Sequence, residues 1–116
     1  MKRIEPGSRL SKAVVANGFV YISGLTAREK VADVATQTTD ILEQIDGYLA
    51  AAGTDKSRLV MCNIWLVDIA TFAQMNGAWE SWVDPQNPPA RATVESRLGG
   101  QGNLVEISAI ALAPGA

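Results

Sequence analysis

The sequence predicts an α+β fold: one mixed sheet built in the order ββαβαββ, with two helices packed on one face. Three observations carry that expectation. Two β-type runs, residues 13–16 and 19–24, flank the dipeptide Asn17-Gly18, the signal of a tight hairpin. Two later segments repeat apolar residues at three- and four-residue steps, the period of an amphipathic helix. Three apolar strand-like runs, residues 59–67, 90–98 and 104–112, lie between and after them.

Taken in order, residues 26–32 form a polar connection, and the first helix is expected over residues 33–52. Val34, Thr38, Ile41, Leu42, Ile45 and Leu49 make its stripe. Asp33 suits the N-cap, and Gly53 stands where a C-terminal glycine cap belongs. In the strand over residues 59–67, Val60, Cys62, Ile64 and Leu66 point one way. Met61, Trp65 and Val67 point the other, with Asn63 among them. A strand apolar on both faces is expected in the middle of its sheet.

The second helix is expected over residues 71–83. Thr71 and Gln74 have capping-box spacing, and Phe72, Met75, Trp79 and Val83 form the stripe. Asp84-Pro85 ends it, and Pro88-Pro89 stiffens the entry to a final hairpin. The strands of that hairpin are residues 90–98 and 104–112, joined by a turn through Gly99-Gly100-Gln101-Gly102-Asn103. There is neither an internal repeat nor a linker, so residues 1–116 read as a single domain. Trp65, Val67 and parts of the last hairpin fall on the sheet face that carries no helix. That face is expected to be covered by copies of the same chain under closed rotational symmetry.

Composition narrows the chemistry. Apolar residues are 47% of the chain, which excludes disorder, and the net charge is −2 with no basic stripe, which argues against nucleic acid. The N-terminus lacks a signal-like apolar run, and no stretch has the length of a membrane span. With Cys62 as the single cysteine, a cytoplasmic location is expected. With one cysteine and no histidine, zinc, iron and copper sites are disfavoured and no metal is expected, and a Ser-His-Asp or Cys-His mechanism is excluded within this chain. Any chemistry falls to carboxylates, arginine, hydroxyls, backbone groups and water.

Two charges on apolar strands single themselves out. Arg91 opens one strand, and Glu106 is flanked by Val105 and Ile107 on the next. Such charges are costly unless paired or used. The hairpin register would set Glu106 opposite residues 93–95, with Arg91 on the order of 10 Å away along the strands. The two could reach around one small acid or belong to different sites of an oligomer.

The ordered motifs Ser11-Lys12-Ala13-Val14, Tyr21-Ile22-Ser23-Gly24, Met75-Asn76-Gly77-Ala78-Trp79, Pro89-Ala90-Arg91-Ala92-Thr93-Val94-Glu95 and Leu104-Val105-Glu106-Ile107 resemble the YjgF/YER/RidA family. Residues 9–20, with Ile64-Trp65-Leu66 and Trp79-Glu80-Ser81-Trp82-Val83, are similar to a YoaB-like branch. The resemblance implies a chorismate-mutase-like fold and a homotrimer around a central barrel, with three clefts between subunits. It implies cofactor-free hydrolysis of reactive enamines and imines, such as 2-aminoacrylate, to 2-keto acids and ammonia. Arg91 matches the family's carboxylate-binding arginine and Glu106 its water-orienting glutamate. Ser23, Gly24, Asn76 and Thr93 match positions around the substrate. The chain departs from many active members in having Leu10 where they have tyrosine, and Thr93 where they have cysteine.

These residue types suit that chemistry. A guanidinium fork matches a carboxylate bidentately and so orients the adjacent C=N carbon. A glutamate can hold the attacking water and move protons to the leaving nitrogen. Plainer readings stand beside this one. Arg91 could pair with Glu95 or Glu106, Glu106 could be an interface charge, and Ser23, Asn76 and Thr93 could bond backbone or pack. Cys62 and the three tryptophans read as core or interface. The rival functions are a non-catalytic module that binds a small carboxylate, the ribonuclease or chaperone-like roles reported among relatives, and a mutase suggested by fold alone.

Overall fold

The computed structural model describes residues 1–115. It opens with a strand that the sequence reading missed: β1 (Lys2–Pro6) pairs antiparallel with β2 (Ser11–Ala16). Lys2, Arg3, Glu5 and Pro6 are exposed, which is how an edge strand resists further pairing, and Ile4 alone carries an apolar signal. The order is therefore βββαβαββ. The hairpin to β3 (Phe19–Thr26) forms as expected, because Asn17 (φ 50°) and Gly18 (φ 83°) both take the left-handed conformation a two-residue turn requires.

The first helix, α1 (Val34–Ala51), keeps its expected frame. Asp33 accepts from the Thr36 N–H at 2.9 Å, and Gly53 follows the C-cap with φ 81°. Val34, Thr38, Ile41, Leu42, Ile45 and Leu49 are all buried, against β3 and the last strand. Gln37 is buried on the same side. Its Nε2 donates to the Val31 and Gly102 carbonyls, each at 2.8 Å, and its Oε1 accepts from the Leu104 N–H at 3.0 Å.

β4 (Leu59–Leu66) is central, as its two apolar faces suggest, apart from Val60, which sits exposed at a register shift. The expected capping box at the start of α2 (Phe72–Trp82) is absent. A 3₁₀ turn, Ile69–Thr71, precedes the helix, and Asp68 caps that turn by accepting from the Ala70 N–H at 2.9 Å. Thr71 Oγ1 donates back to the Asp68 carbonyl at 2.6 Å, and Thr71 itself lies outside the extended conformation usual for an N-cap.

The final hairpin does not form. β5 (Ala90–Glu95) pairs in parallel with β4, and β6 (Val105–Leu112) pairs antiparallel with the other edge of β4 and with β3. The sheet order is β1-β2-β3-β6-β4-β5. The cause lies in the unit β4–α2–β5: a helix between two strands returns the second parallel to the first, and here it docks as the neighbour. β6 then takes the remaining edge. Residues 96–104 are consequently not a hairpin turn but a bridge across the end of β4. Ser96 N–H donates to the Leu66 carbonyl at 2.9 Å, and Val67 N–H to the Leu104 carbonyl at 3.1 Å. β5 ends at Glu95, short of the expected residue 98.

Both helices lie on one face, over Ile22, Leu25, Cys62, Ile64, Leu66, Ile107 and Ala109. The opposite face is uncovered in the single chain. Val14, Tyr21, Ile110, Met61 and Ala90 cross it as one row of register partners, and Glu106, Trp65 and Val94 as another. No helix among the described residues is long and apolar enough to cross a membrane.

Gln37 holds the bridge that leads into β6. Gln37→Leu leaves the Gly102 carbonyl and the Leu104 N–H without their side-chain partner, the Val31 carbonyl keeping the Asp33 N–H, and is expected to destabilise the fold by about 2 kcal/mol. Urea unfolding of the variant against the natural chain measures this.

Candidate active site

Register and burial decide which way each candidate side chain points. Arg91 is the parallel partner of Cys62, and Thr93 of Ile64, both buried under the helices. Arg91 and Thr93 therefore face α2. The Arg91 guanidinium carbon lies 5.2 Å from the Trp79 ring centroid and 5.6 Å from that of Phe72, with Nη1 4.0 Å from Met75 Sδ. Phe72, Asn76 and Trp79 follow one another at four- and three-residue steps, which puts half-buried Asn76 on the α2 face that Arg91 meets.

The plainer pairing for Arg91 is not found. Among the described residues no carboxylate forms an ion pair with it, and Glu95 is turned away, its Oε1 accepting from the Ile69 N–H at 3.0 Å. The guanidinium is half-buried, and desolvation draws its pKa below the ordinary arginine value. Arginine nevertheless stays charged at any neutral pH.

Glu106 points the other way. Its register partner is Trp65 on the uncovered face, and its neighbours Val105 and Ile107 are the buried ones. On its β3 side the pairing slips between Ile22 and Leu25, so Ser23 and Gly24 form a bulge. The Glu106 carboxylate fills the space beside Gly24, and a β-carbon there would collide with Oε2. Ser23, Gly24 and Glu106 thus make a second group.

The expected approach of Arg91 and Glu106 around one acid does not occur within a chain. They lie on opposite faces of the sheet. Glu106 is level with Val94 across β4, about 10 Å away, and Arg91 is three residues further, about another 10 Å. Each group also holds a buried hydroxyl, Thr93 Oγ1 in one and Ser23 Oγ in the other, with no hydrogen-bond partner among the described residues. The groove between α1 and α2, lined by Thr36, Asp40, Gly77 and Ser81, includes neither charge.

A sequence model described as Endoribonuclease L-PSP matches residues 1–113. A "RutC family protein" of Haemophilus ducreyi is 40% identical over 105 residues, 90% of each chain. The "RutC family protein YoaB" of Escherichia coli K12 is 37% identical over 109 residues, 94% of this chain and 95% of its own. The crystal structure of a YjgF family member from Neisseria meningitidis superposes with a TM-score of 0.95 at 39% identity, covering 99% of this chain and 96% of that one. The chain belongs to the YjgF/RidA family. Its YoaB-like relatives accord with the branch that residues 9–20 resemble.

For a YjgF/RidA chain, the aromatic setting of Arg91 was the part hidden in the sequence. Phe72, Met75 and Trp79 read there as a core stripe, and their shared face with Asn76 was the available signal. Among the described residues no three or more aspartate, glutamate or cysteine side chains cluster together. Cys62 is fully buried beside Arg91, and burial pushes its thiol up to about 12.

Two outcomes follow. At pH 8 only about one Cys62 in ten thousand is thiolate, so a thiol reagent should react with the native chain orders of magnitude more slowly than with the unfolded chain. Gly24→Ala should displace the Glu106 carboxylate with a thermal midpoint within a few degrees of the natural chain, read by thermal unfolding and by the position of the Glu106 side chain in a crystal structure of the variant.

Proposed function

We propose that this family member hydrolyses 2-imino acids and their enamine tautomers, of the 2-aminoacrylate type, to 2-keto acids and ammonium. Arg91 carries the reading: a half-buried guanidinium whose donors no carboxylate of its own chain occupies. That is the arrangement a carboxylate-bearing guest requires. Thr93 and Asn76 flank it from β5 and α2.

Glu106 orients the water. The water oxygen adds to the C=N carbon of the protonated imine as the C=N π pair moves to nitrogen, and Glu106 takes a water proton. That proton passes to the carbinol nitrogen, the C–N bond breaks with its electron pair going to nitrogen, and the carbinol oxygen closes to the keto group as its own proton passes through Glu106 to the departing ammonia. Protonated imine and water together become keto acid and ammonium, with no oxidant or metal needed. Ser23 and Gly24 shape the space around the carboxylate.

The two groups sit on opposite faces, so a complete cleft joins Arg91 of one copy to Glu106 of another. A homotrimer whose uncovered sheet faces turn inward supplies three such clefts. It also buries Tyr21, Met61, Trp65 and Ile110, which the single chain leaves without a helix. The second reading is a module that binds a small carboxylate without turning it over. It uses Arg91 in the same way and leaves Glu106 without a chemical task.

Turnover of an enzymatically generated 2-imino acid, corrected for spontaneous hydrolysis, separates the two. Arg91→Ala should lower kcat/KM about 100-fold and abolish pyruvate binding, with the oligomer intact by mass measurement. Glu106→Gln should keep pyruvate binding and lower kcat about 100-fold. Pyruvate binding with no rate above background would favour the binding module.

A further inference from the structure

Arg91 is held by ring faces, whereas Arg28, on the outer surface, is held by acids. The Arg28 guanidinium meets Asp40 at 2.6 Å and Glu43 at 3.3 Å, so its charge is already answered. Arg91 has Trp79 at 5.2 Å and Phe72 at 5.6 Å instead. A π face attracts a guanidinium and fixes its plane, but it brings no net negative charge and accepts no N–H in the plane of the fork.

We propose that Trp79 is a positioning residue: its indole face sets Arg91 for the substrate carboxylate without neutralising it. The proposal rests on the carboxylate-anchoring role given to Arg91 above. Trp79 is itself fixed. It is 7% exposed and tilted at 56° against Trp82, centroid to centroid 5.5 Å. Trp82 Nε1–H donates to Asp46 Oδ2 on α1 at 2.9 Å, and Lys56 Nζ lies 5.2 Å over the Trp82 ring. A continuous stack therefore runs from α1 through both indoles to Arg91 on β5. The orientation of an edge-strand arginine is set from the helical layer, where packing is dense.

Two substitutions test this. Trp79→Leu removes the π face and keeps an apolar plug, while Trp79→Phe keeps a smaller face. Trp79→Leu should raise KM for the imino acid and Kd for pyruvate about tenfold, with kcat within about twofold. Trp79→Phe should restore most of the affinity. A folded Trp79→Leu chain with unchanged KM and pyruvate Kd overturns the proposal, as does a Trp79→Phe chain no better than Trp79→Leu. Arg91→Ala separates the levels. If it binds pyruvate like the natural chain, the anchoring role itself fails. If it loses pyruvate while Trp79→Leu keeps it, only the role of Trp79 fails. Should Trp79→Leu not fold, Trp79→Met takes its place: a folded Trp79→Met chain should show the same roughly tenfold rise in pyruvate Kd, and an unchanged Kd overturns the proposal.

Discussion

β4 is hydrogen-bonded along both edges, to β5 in parallel and to β6 antiparallel, and the candidate site inherits its geometry from that insertion. With β4 between them, the strands that carry Arg91 and Glu106 never touch. Each strand's side chains alternate independently, and the registers set Arg91 beside Cys62 and Glu106 beside Trp65. One charge is therefore turned under the helices and the other away from them. A hairpin of the same two segments would have made the two strands direct neighbours, with the charges about 10 Å apart along them. The bridge over residues 96–104, pinned by Gln37, lets the chain step across the end of β4 without leaving its backbone groups unpaired.

The two groups are built by different physical means. Around Arg91 the chain supplies apolar bulk and ring faces, so the cation is desolvated but not matched by an anion. Around Glu106 it supplies room, through a bulge and a residue without a side chain. Both arrangements leave the charged atoms available. Helices cover one face of the sheet, while the rows through Tyr21 and Trp65 lie on the face that carries no helix.

Much of this was legible in the residues. Asn17-Gly18 announced its hairpin, the stripe from Val34 to Leu49 announced α1 and its buried side, and the double apolar face of residues 59–66 announced a central strand. What escaped had a physical reason in each case. β1 has one apolar residue in five, since edges are kept charged. The pairing of residues 90–95 was misjudged because strand partners are settled by the βαβ crossover, which no local turn signal reveals. Glycines at residues 99, 100 and 102 suit a hairpin turn and a bridging loop equally. Among candidate site residues, Arg91 and Glu106 stand out by their cost on apolar strands and by the family resemblance. The faces they occupy could not, because side-chain direction follows register, and the register had been assigned to the wrong partner.

The bulge at Ser23 and Gly24 also ties two distant positions into one unit of variation. The carboxylate at 106 occupies the volume that any side chain at 24 would need. Drift at either position is therefore not independent of the other: a methyl gained at 24 obliges the acid at 106 to swing aside or shorten, so the glycine fixes where that carboxylate rests.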